Sequence, residues 1–107
     1  MAVRFLKKHG YKILEQNFRT QLGEIDIIAK DRQTIAFIEV KTRRSLKYGS
    51  PKTAITLEKQ RKISMAALLY LKQNDQSRVD ARFDVVTVRT DSGDIAVIKN
   101  AFELAYP

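Results

Sequence analysis

The chain opens with Val3, Phe5 and Leu6 spaced to share one face of a helix over Ala2 to His9, and Gly10 is placed to end that helix. From Tyr11 to Phe18 the period shortens to a mixed alternation, which predicts a first strand, followed by a polar connection through Arg19, Thr20 and Gln21. Two β-rich, alternating runs follow, Glu24 to Lys30 and Thr34 to Arg43. The turn-forming residues Asp31, Arg32 and Gln33 separate them, so they read as an antiparallel hairpin. The stretch SLKYGSPKT predicts a loop, after which Thr56 caps a helix to about Asn74 with Ile63, Ala67, Tyr70 and Leu71 on one stripe. Within Arg82 to Arg89 the run FDVVTV reads as a buried strand, and Asp91, Ser92 and Gly93 turn the chain into a last strand, DIAVIK. The predicted order is α-β-β-β-α-β-β, an α/β arrangement.

Side-chain alternation divides the hairpin into two faces. Ile25, Ile27, Ala36, Ile38 and Val40 are continuously apolar and form a core face. On the other face lie Glu24, Asp26 and Ile28 from one strand and Ile35, Phe37, Glu39, Lys41 and Arg43 from its partner. The charged halves overlay when the strands run antiparallel. If the turn leaves Lys30 opposite Ile35, Asp26 lies opposite Glu39; a shift of two residues makes them diagonal neighbours.

Length and composition narrow what such a hairpin serves. At 107 residues, 44% apolar and 30% charged, the chain is one folded domain. The net charge of +8 favours a polyanionic partner, nucleic acid first, through counterion release. The absence of cysteine excludes disulfides and thiolate metal sites and makes the cytoplasm the default compartment. No run approaches the roughly 18 apolar residues of a membrane span, so no membrane partner is expected.

Two carboxylates facing each other across a hairpin repel. Without a cation, one shifts its pKa upward or the strand pairing weakens. Lys41 supplies one charge, and a hard divalent ion, Mg2+ or Mn2+, fits the pair of carboxylates better. Such an ion polarises a phosphoryl oxygen, with a lysine orienting water or balancing charge, which is the chemistry of phosphodiester hydrolysis. A solvated strand face of exposed ion pairs accounts for the same spacing.

Between Arg43 and Lys62 stand Arg43, Arg44, Lys47, Lys52, Lys59, Arg61 and Lys62 against a single acid, Glu58. This density reads as a clamp on a phosphate backbone, or as a solvated face. Tyr48 beside Gly49 either stacks on an unpaired base or packs on its own loop. His9 is placed to meet the last carbonyls of the first helix rather than to catalyse. Asp84, in a strand that should be buried, needs a partner, and Arg82 on its own face is available.

Gly23-Glu24-Ile25-Asp26 followed by Phe37-Ile38-Glu39-Val40-Lys41-Thr42-Arg43 resembles the core motif of the PD-(D/E)XK, restriction-endonuclease-like superfamily. Within it the sequence is more similar to the YraN-like family of bacterial proteins, which is related to archaeal Holliday-junction resolvases. The likeness extends over nearly the whole chain through His9-Gly10-Tyr11, Asn17-Phe18-Arg19, Thr56 with Lys59-Gln60, Arg82-Phe83-Asp84-Val85-Val86 and Asn100-Ala101-Phe102. The resemblance implies an αβββαβ core with a mixed central sheet flanked by helices. It implies metal ligation by Asp26, Glu39 and the carbonyl of Val40, water activation by Lys41, and an approach of Gln60 from the following helix. It also implies a further glutamate on the first helix, three residues ahead of the position of Ala2, and a homodimer that cuts two strands symmetrically. The expected function is a metal-dependent endonuclease acting on DNA, branched DNA included, with Arg19 and the basic segment on the phosphates. A non-catalytic nucleic-acid-binding or scaffold protein that keeps the fold is the alternative.

Overall fold

The computed structural model describes residues 1–44, 55–74 and 79–105. Helix α1, Ala2–Lys8, is followed by strands β1, Lys12–Arg19, β2, Glu24–Asp31, and β3, Thr34–Arg43. Helix α2, Leu57–Gln73, precedes β4, Asp80–Arg89, and β5, Ile95–Phe102. The strands form one mixed sheet in the order β1-β2-β3-β4-β5. Neighbours are antiparallel except β3 and β4, which run parallel because α2 carries the chain back between them. The predicted element order is the one observed, with β4 and β5 longer than their apolar runs. The expected loop over 45–53, with Lys47, Tyr48 and Lys52, lies outside the described residues.

Local chemistry sets the ends of the elements. Gly10 takes φ +88 just past α1, the left-handed conformation that glycine adopts without a Cβ penalty. His9 lays Nδ1 2.8 Å from the Phe5 carbonyl, where the first helix ends. Thr56 caps α2 by accepting the Lys59 N–H at 3.1 Å. Between β1 and β2 the Thr20 hydroxyl donates to the Gly23 carbonyl and accepts the N–H groups of Leu22 and Gly23, a side-chain turn that closes that hairpin.

Each face of the sheet is covered by one helix. Ile63, Ala66, Ala67 and Tyr70 of α2 pack on Ile25, Ile28, Ile35, Phe37 and Phe83. On the other side Leu6 of α1 packs with Ile27, Ala29, Ala36, Ile38, Val86 and Val88. The hairpin of β2 and β3 is therefore buried on both faces, which corrects the expectation of one core face. A second correction concerns alternation. Ile25 joins Ile28 under α2, while Ile27 joins Ala29 under α1, so the strand switches faces across Asp26.

Candidate functional site

The face switch at Asp26 is matched by an irregular residue across from it in β1. Asn17 lies between the Gln16–Ile27 and Phe18–Ile25 pairs and adopts φ +54, a left-handed conformation for which asparagine is among the more tolerant residues. The register of the pair runs unbroken past this point, its one shift lying between Ile13 and Glu15, so the departure from extended backbone is confined to Asn17, across from Asp26. β2 stays with β1 as far as Arg19–Glu24, whereas its ladder with β3 stops at Ile27–Ile38. An opening is left between β2 and β3.

Asp26 faces that opening. Its carboxylate accepts the Val40 N–H at 2.8 Å, replacing the ladder bond that the diverging strand no longer supplies. In a strand the N–H and C=O of one residue project to the same side, so the Val40 carbonyl faces the opening as well. The turn leaves Lys30 opposite Ile35, the first of the two registers the sequence allowed, which sets Asp26 at the level of Glu39. The two outcomes anticipated for facing carboxylates both arise. The ladder ends, and the Glu39 carboxyl is raised above its usual range, first by burial and then by the Asp26 charge.

Glu39 is the buried member, with its side chain only 7% exposed. Lys59 reaches down from the first turn of α2 and places Nζ 3.2 Å from Glu39 Oε1. The positive charges of Lys59 and Lys41 oppose the upward shift without cancelling it. Lys41 is half-buried two residues along β3. Asp26, Glu39, Lys41 and the Val40 backbone are thus gathered at one end of β3, where the sequence placed them.

The other predicted residues divide. Gln60 comes in on α2 beside Lys59, but its amide donates to the Ile55 carbonyl at 3.0 Å and so holds the entry to the helix. Arg19 pairs with Glu24 at 3.5 Å, and Lys62 with Glu58 at 3.5 Å, all on exposed side chains. Arg44 and Arg61 are exposed, and the buried Nε of Arg43 has no hydrogen-bond partner among the described residues. Lys47 and Lys52 lie outside the described residues. Sequence reading missed the direct pairing of Lys59 with Glu39. The signal was available, since the Thr56 cap fixes the phase of α2 and puts Lys59 in its first turn.

As a donor set for a divalent ion, the opening offers two carboxylates and one backbone carbonyl, all hard oxygens of the kind such ions select. Among the described residues no cluster of three or more His, Cys, Asp or Glu side chains gathers to hold an ion. The N-terminal end of α1 closes one flank: Met1, Ala2 and Val3 line the same depression as Asp26 and Val40.

Residues 1–88 match the family described as "Uncharacterised protein family UPF0102". The chain belongs to this family. A UPF0102 protein of Desulfosudis oleivorans is 57% identical over 102 residues, which cover 95% of this chain and 83% of the relative. UPF0102 proteins of Geobacter metallireducens and Caldicellulosiruptor saccharolyticus are 54% and 52% identical, covering 99% and 94% of this chain and 88% and 89% of their own lengths. The likeness to UPF0102 proteins therefore takes in the strands, both helices and the opening. No helix among the described residues is long and apolar enough to cross a membrane.

Proposed function

We propose that this UPF0102 protein is a metal-dependent endonuclease that hydrolyses phosphodiester bonds in DNA, branched DNA included. The reading is carried by the opening between β2 and β3. There Asp26, Glu39, Lys41 and the Val40 carbonyl converge at a point where the sheet gives up its own hydrogen bonding. A sheet that only needed to be stable would continue its ladder there. It would also avoid a buried carboxylate beside a second one.

Magnesium or manganese would be held by the Asp26 and Glu39 carboxylates with the Val40 carbonyl, the remaining positions being left to waters and a phosphate oxygen. When bound, the ion supplies Lewis-acid polarisation of the phosphoryl group and a more acidic water. The chain does the rest. Asp26 is held in place by the Val40 N–H, and burial among strands fixes Glu39. Lys41 orients the attacking water and offsets the charge that builds on the phosphorus oxygens. Lys59 balances Glu39 from above, and Arg43, Arg44, Arg61 and Lys62, from the end of β3 and the start of α2, would serve as phosphate contacts. A homodimer would present two such openings for symmetrical cutting.

The Lys59–Glu39 ion pair favours a second reading. It neutralises the buried carboxylate with a cation of the chain's own, which suits a nucleic-acid-binding or scaffold protein without catalysis. Incubation of the full chain with linear, flapped and four-way DNA in Mg2+ or Mn2+ separates the two. The nuclease reading expects metal-dependent cleavage that falls at least about a hundredfold in Asp26→Asn and in Lys41→Ala. Cleavage unchanged in either variant sinks the site assignment. Salt-sensitive binding with no cleavage of any substrate supports the second reading.

A further inference from the structure

Three basic residues near the opening are answered by acids: Arg19 by Glu24, Lys59 by Glu39 and Lys62 by Glu58. The opposite end of the sheet, where β2 turns into β3, is different. The register of β1 on β2 sets Lys12 directly across from Lys30, and both side chains are exposed. Like charges directly opposed across two strands repel and weaken the pairing. Among the described residues neither lysine has an ion-pair partner, nor do Lys7, Lys8 and Arg32, which come from the end of α1 and the hairpin turn.

The acids of this end do not relieve the repulsion. Asp31 is already shared by Arg82 at 2.6 Å and Lys99 at 3.0 Å. Asp80, beside Thr34, and Glu15, further along β1, form no ion pair with the lysines. Arg32 lines one depression with His9, Asp31, Arg82 and Lys99, and of its three cations Arg32 is the one without an ion pair among the described residues. The Cβ atoms of an opposed pair are about 5 Å apart, a spacing at which one phosphate group accepts from both ammonium groups. The pair lies four residues along β3 from Glu39, or ~13 Å at about 3.3 Å per residue. A phosphate in the opening is therefore not the one that Lys12 and Lys30 would hold.

We propose that this end of the sheet, centred on the Lys12–Lys30 pair with Arg32 beside it, is a second phosphate-backbone contact for DNA, separate from the opening between β2 and β3. The inference rests on the reading of the protein as one that acts on DNA, and it extends that reading. The nucleic acid is held at two points along the sheet, and the bound backbone relieves the repulsion that the free protein carries.

The test compares full-length wild type with a Lys12→Gln/Lys30→Gln double variant, by fluorescence anisotropy on labelled linear and four-way DNA over a series of salt concentrations without divalent metal. The variant is expected to bind more weakly and to lower the slope of log affinity against log salt by about two counterions. Its melting temperature is expected to equal or exceed that of wild type, because the like-charge pair is gone. A folded variant with an unchanged slope overturns the second contact and leaves the opening untouched. Wild type that fails to associate with DNA at low salt removes the DNA reading itself, and this contact with it.

Discussion

Glu39 concentrates the tension of the fold in one side chain. It is buried between β3 and α2 with Asp26 nearby, and burial and that neighbour together outweigh the attraction of Lys59 and Lys41. Its carboxyl is therefore protonated more readily in the folded chain than in the unfolded one. Above the raised value, the native state carries a charge it resists and stability is reduced. As pH falls through that value the native state takes up the proton first, and stability rises until the unfolded carboxyl also protonates near ~4.3. Glu39→Gln keeps the shape and removes the charge. In the presence of a chelator, denaturant unfolding at pH 7 to 8 should show the variant as stable as wild type or more so, by on the order of 1 kcal/mol. The difference should close towards pH 4. A variant less stable than wild type by the same amount at both ends of the range would mean that the Lys59 bond outweighs the burial of charge. Such a gain, should the same substitution also abolish the proposed cleavage, would mark Glu39 as a residue kept for chemistry.

Among the elements, the hairpin was the most legible from sequence because two constraints agree on it. The turn signal after Lys30 and the alternation of Thr34 to Arg43 left two registers open, and the one formed sets Lys30 opposite Ile35 and Asp31 opposite Thr34, so that only Arg32 and Gln33 make the turn. The break at Asp26 was not legible. It comes with β2 choosing β1 over β3 at its first residues and with a left-handed Asn17, and neither choice has a local pattern. Nor was the role of Gly23, which in sequence is only the first letter of a motif. A Cβ at Gly23 would meet the carbonyl of Lys62, so glycine is what lets the backbone of α2 settle against the start of β2. That contact lies one turn from Lys59 and three residues from Asp26. Gly23→Ala should therefore cost ~2 kcal/mol or more, since backbone cannot move aside as a side chain tip does. It should also loosen the Lys59–Glu39 contact. Thermal unfolding and amide exchange of the first turns of α2 measure the two effects. A melting temperature within experimental error of wild type would show that α2 can shift without loss.

Across the whole molecule, a buried polar network anchors the end of the sheet opposite the opening. Asp84 is fully buried and accepts from Arg82 Nε at 2.9 Å, from the Tyr11 hydroxyl at 3.2 Å and from the Asn100 N–H at 2.9 Å. Arg82 also binds Asp31 and donates to the Tyr11 hydroxyl at 3.1 Å. The pairing of Asp84 with Arg82 was readable because the two lie two residues apart on one strand face. Tyr11 and Asp31 were not, since they arrive from just ahead of β1 and from the last residue of β2 only once the strand order is known. The network therefore ties the start of β1, the end of β2, β4 and β5 together with groups that need one another. Removing the central cation leaves a buried carboxylate without its counter-ion, a change that costs ~3–5 kcal/mol in comparable sites. Arg82→Met, which keeps the bulk of the stem, should thus destabilise the chain by about that amount in denaturant unfolding at neutral pH. The pH profile gives a second, independent sign. Asp31 is held below its ordinary value chiefly by its bond to Arg82. Its contribution is therefore present above the unfolded carboxylate value and is lost as pH falls through the folded one. Without Arg82 that acid-side loss should shrink. At the alkaline end, burial and then the Asp84 charge push Tyr11 up to about 12. Wild type should therefore lose stability as pH rises from ~10, where the unfolded phenol ionises, towards that value. A folded Arg82→Met protein with wild-type stability and an unaltered acid limb would show that water or a lysine has taken the place of the guanidinium, and that the strands are not pinned at this point.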